Sequence, residues 1–117
     1  IRELAHQVLA LDSLRDLDRG ISLNVGLISG GSRPNVVPDL ARATVDVRTQ
    51  TIADAERIDA ALRSLSPVDR GARIEVSGGF NRPPMERSEG VVRLFHLARE
   101  AAAEIGIDLK EGALAAA

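Results

Sequence analysis

The chain has 117 residues, 44% hydrophobic and 27% charged, enough for one compact core but not for two independent domains or a disordered tail. Its 15 basic and 17 acidic side chains give a net charge of -2, with Phe80 and Phe95 the only aromatic residues, so it lacks both the basic footprint and the stacking platforms of a nucleic-acid binder. Cysteine is absent, which excludes disulfides and thiolate chemistry and is compatible with a reducing compartment such as the cytoplasm; no apolar run nears the roughly 20 residues that span a bilayer, so no membrane partner is expected.

Ile1, Leu4, Ala5, Val8 and Leu11 recur at helical spacing and predict a first helix, ended by the polar residues 16–20. No capping residue precedes it, so the helix is expected to start within a longer polypeptide. Ile21, Leu23, Val25 and Leu27 then alternate with Ser22, Asn24 and Gly26, which predicts a strand with one buried face. Ala43, Val45 and Val47 alternate with Arg42, Thr44, Asp46 and Arg48 as a second strand, antiparallel to the first. The connection Gly30-Gly31-Ser32-Arg33-Pro34-Asn35 is longer than a tight hairpin needs, and such loops often carry function.

Thr51 and Asp54 have the spacing of a capping box, with Asp in place of Glu, ahead of a helical stripe of Ala55, Ile58, Leu62 and Leu65. Ala72, Ile74 and Val76 predict a third strand that stops at Gly78-Gly79. The diproline of Asn81-Arg82-Pro83-Pro84 suits a crossing or hinge segment. A last helix over residues 90–105 carries Val91, Phe95, Ala98, Ala102 and Ile105 on one stripe, widened by Leu94, Leu97 and Ala101. Up to that helix the element order predicts an α+β, ferredoxin-like two-layer sandwich lacking its first strand: an antiparallel sheet with helices on one face.

His6 and His96 stand on separate helices, neither with a second histidine at metal spacing, and no nucleophile elbow, phosphate loop or zinc motif occurs. Asn35 presents an amide donor and acceptor at the end of the sheet, or forms an Asx turn. Arg48 and Arg82 offer guanidinium forks for a carboxylate at the rim of the domain, or are surface charge in a chain whose basic residues are nearly all arginine.

Leu23-Asn24-Val25-Gly26 through Gly30-Gly31, Asn35-Val36-Val37-Pro38, Ala43-Thr44-Val45-Asp46-Val47-Arg48 and Phe80-Asn81-Arg82-Pro83-Pro84-Met85 together resemble the zinc-dependent glutamate carboxypeptidases. Relatives of that family include aminoacylases and succinyl-diaminopimelate desuccinylases. The resemblance implies that residues 1–79 form a lid or dimerisation domain and that residues 80–117 cross and return into a metal-binding catalytic domain. It implies that Asn35, Arg48 and Arg82 bind the substrate's carboxylate or orient its scissile carbonyl, with Gly30 and Gly31 in the loop beside the site.

The family's metal-binding segment, general base and oxyanion histidine would all precede Ile1, and His6 does not match that histidine. No catalytic or metal-ligating residue is therefore expected in this chain. Zinc belongs to the parent enzyme, the chain alone is expected to be inactive, and residues 112–117 depart from the family's Gly-rich continuation. The expected partners are a second copy, through the lid, and a small carboxylate-bearing amide. The alternative is a non-enzymatic ferredoxin-like module for small-molecule binding or assembly.

Overall fold

The computed structural model describes residues 1–114; residues 115–117, the end of the alanine-rich tail, lie outside the described residues. Helix α1 (Arg2–Asp12) is followed by strands β1 (Ser22–Gly30) and β2 (Ala41–Arg48), then by helices α2 (Ile52–Arg63) and α3 (Glu89–Glu104). Helix α1 ends earlier than the polar run at residues 16–20: the Ser13 hydroxyl donates to the Ala10 carbonyl at 2.6 Å, and the Leu14 N–H tightens onto the Leu11 carbonyl. Asp16 and Ile21 then exchange backbone hydrogen bonds of 3.0 and 2.7 Å, which fold residues 16–21 into a turn aimed at β1.

The two strands pair antiparallel, Ser22 opposite Arg48 and Gly30 opposite Ala41, with a bulge at Gly26 between Val25 and Leu27. A bulge adds one residue to one strand and so reverses the alternation beyond it. Leu23 and Val25 lie opposite Val47 and Val45 on the core face, but past the bulge it is Ile28, opposite Ala43, that stays on that face. Leu27 instead joins Thr44, Asn24, Asp46, Ser22 and Arg48 on the polar face. The expectation that Leu27 continues the buried stripe is thereby corrected, and Leu27 is 69% exposed.

Helix α1 packs on both strands, and Leu11, Ile21, Leu23, Ala55 and Ile58 form the buried core. Ala55 and Ile58 are three residues apart on α2 and so share a face. Full burial of a side chain the size of Ile21 or Ile58 stabilises by about 1.5–3 kcal/mol. Thr51 caps α2, its hydroxyl oxygen accepting the Asp54 N–H at 3.1 Å and its O–H donating to the Asp54 carboxylate at 2.9 Å. Arg19 binds the same carboxylate at 2.7 Å, tying the turn before β1 to the start of α2.

At the other end of the core, Glu3 accepts the Asp69 N–H at 2.6 Å, the Val68 N–H at 3.0 Å and the Gln7 side-chain amide at 2.6 Å. The chain leaving α2 is thus pinned to the first turn of α1, and Arg2 adds a bond to the Asp69 carboxylate.

Residues 72–76 do not form the expected third strand. Ala72 and Ile74 are half-buried while Arg73 and Glu75 face solvent, so the alternation survives as burial up to Glu75, but Val76 is exposed and the segment joins no ladder among the described residues. Alternation reports which face is apolar; pairing also needs a neighbouring edge at ladder distance. The described elements are thus an α+β, ferredoxin-like arrangement lacking its first strand, and a C-terminal helix. Ser88 caps that helix by accepting the Val91 N–H, and none of the residues of α3 is buried.

Candidate functional site

The hairpin connection is shaped by its glycines. A Cβ on Gly30 would lie 2.8 Å from the Ala41 Cβ across the ladder, closer than side-chain carbons approach. Gly31 has φ +80°, in the left-handed region that glycine enters at no steric cost. After this turn the Val36 N–H reaches the Arg33 carbonyl at 3.3 Å, closing a turn with Pro34 and Asn35 at its centre. Ile1, Gly30, Gly31, Arg33, Val36 and Pro38 line an open cleft of about 410 Å³ beside that turn. The Asn35 side chain is exposed and forms no hydrogen bond among the described residues, so both its donor and acceptor remain available.

Arg48 lies at the other end of the sheet. Its Nε donates to the Asp46 carboxylate at 2.9 Å on the open polar face, leaving the outer guanidinium nitrogens directed to solvent. The seven residue steps from Ala41 to Arg48 cover roughly 24 Å at about 3.4 Å each, so Asn35 and Arg48 do not converge. Arg82 is exposed in the segment after Gly78 and engages no carboxylate among the described residues. That segment docks at the N-terminus of α2, which β2 enters four residues after Arg48, so Arg48 and Arg82 belong to the α2 side of the domain.

His6 and His96 are exposed on α1 and α3. Among the described residues no three His, Asp or Glu side chains gather at metal-binding spacing. The shifted carboxylates are structural. Backbone N–H donation, first from Asp69, and the Gln7 amide hold Glu3 below the usual carboxylate range; the Thr51 hydroxyl, then Arg19 and Arg57, do the same for Asp54. No helix of the described residues is long and apolar enough to cross a membrane.

Sequence reasoning passed over the long-range polar contacts, among them that of Glu86, whose carboxylate accepts the Ile52 N–H at 2.8 Å. The residues are 34 positions apart, and no local motif encodes such a pairing. The only available signal was an acidic residue shortly after a diproline.

A family model described as Peptidase dimerisation domain matches residues 1–67, more than half of the chain. No curated protein and no solved structure matches it.

Proposed function

Because the chain belongs to the peptidase dimerisation domain family, we propose that it supplies the self-associating, substrate-covering part of a zinc-dependent amidohydrolase or carboxypeptidase. The parent cleaves an amide or peptide bond beside a carboxylate-bearing group. The observation that carries this reading is the family match over residues 1–67, which takes in α1, the hairpin and α2. The two-stranded sheet supports the self-association: its outer edges are unpaired among the described residues, and Leu27 and Ile28 are exposed on β1.

Zinc, when bound in the parent, activates the attacking water, and residues other than those described would hold it. The work of this chain is positioning. Asn35 offers an amide N–H to an oxygen of the substrate, and the exposed forks of Arg48 and Arg82 suit a carboxylate. Since Asn35 and Arg48 stand at opposite ends of the hairpin, a small substrate bound to one chain touches one of them and not both.

In the zinc enzyme that contains this domain, Arg82→Ala should raise KM for carboxylate-bearing substrates about 10–100-fold, the loss of one charge-assisted contact, with Arg82→Lys intermediate. Unchanged kinetics would remove Arg82 from the site. The purified chain, given zinc and an N-acylated amino acid, should show no turnover; chelator-sensitive hydrolysis would overturn the reading of the chain as a cover.

A further inference from the structure

Residues 78–86 run back along α2, held at both ends. The Arg63 guanidinium, itself fixed by Asp59 at 2.7 Å, donates to the Gly78 carbonyl at 3.0 Å near the end of the helix. At the helix start the Glu86 carboxylate accepts the Ile52 N–H at 2.8 Å, one of the N-terminal donors that a helix cannot satisfy internally. Between them Pro84 is buried, although its neighbours Pro83 and Met85 are exposed. The next residue faces elsewhere: Arg87 pairs with Glu111 beyond α3, and Ser88 caps α3. Glu86 and Arg87, joined by one peptide bond, therefore bind two different bodies. The radius of gyration, 20.1 Å against the roughly 13 Å of a compact chain of this length, shows an elongated chain in which α3 extends away from the core.

We infer that the Glu86 carboxylate is a latch that fastens residues 78–86 to α2 as part of the first body, and that the joint between the bodies lies at residues 87–88. The expected boundary at 79/80 is then internal to the first body, and the diproline strap moves with α2. This inference rests on internal contacts alone and stands whatever the parent enzyme hydrolyses.

The absence of cysteine permits clean spin labelling at Ala60→Cys with Met85→Cys, within the proposed body, and at Ala60→Cys with Leu97→Cys, across the joint. The 60–85 distance distribution should be several-fold narrower than the 60–97 distribution. Glu86→Ala should broaden the 60–85 distribution and speed amide exchange at Ile52 about tenfold, with the far-ultraviolet circular dichroism unchanged. Glu86→Gln, which keeps an acceptor oxygen, should preserve the narrow distribution. A 60–85 distribution as broad as the 60–97 one, or one indifferent to Glu86→Ala, would overturn the latch.

Discussion

Gly30 and Gly31 adjoin at the end of β1 for separate physical reasons, one the closeness of Ala41 and the other a left-handed backbone. Gly31→Ala should cost about 1–2 kcal/mol, the strain of a Cβ in that conformation, read as a lower urea midpoint at unchanged slope. An unchanged midpoint would show that the loop relaxes. The carboxylates of Glu3 and Asp54 set the acid response. Both are held below their usual range in the folded chain, so their stabilisation is complete above the ordinary carboxylate value and is lost as pH falls toward the folded one. Thermal midpoints should therefore drop on acidification, and Glu3→Gln together with Asp54→Asn should flatten that drop; an equally steep profile in the double variant would contradict it. Asp54 was legible from its spacing to Thr51, whereas Glu3 was not, because its partners Val68 and Asp69 lie 65 and 66 residues away.

Elements were legible where local chemistry specifies them. The Thr51 cap placed the start of α2 and the polar alternation of Arg42, Thr44, Asp46 and Arg48 placed β2, both within a residue of the structure, whereas α2 ends at Arg63, two residues short of Leu65 in the expected stripe. Gly26 misled because a glycine in a polar slot of an alternating run looks like continuity, while its backbone here forms the bulge. Residues 72–76 misled because side-chain alternation carries no information about which edge is present to pair with. The elements also differ in what they hold together. Ile58→Ala on α2 should destabilise by about 2–5 kcal/mol, whereas Leu97→Ala on the exposed face of α3 should stay within about 0.5 kcal/mol. Urea unfolding of the two variants compares them, and a large loss from Leu97→Ala would mean that α3 shares the core.

On the scale of the whole molecule, the family match covers α1, the hairpin and α2, and α3 stands apart from that core with no buried residue. Three of the candidate site residues, Gly30, Gly31 and Asn35, are brought together by one loop, as their adjacency in sequence implied. Arg48 and Arg82 were expected at the rim of the domain; their position on the α2 side depends on strand length and on the Glu86 contact, which motif order does not encode. We propose the sheet and its flanking helices as the surface for a second copy. Sedimentation equilibrium of the purified chain over a wide concentration range tests this most directly. It should show a reversible monomer–dimer equilibrium reaching twice the mass of one chain, and a single monomeric mass at every concentration would contradict it.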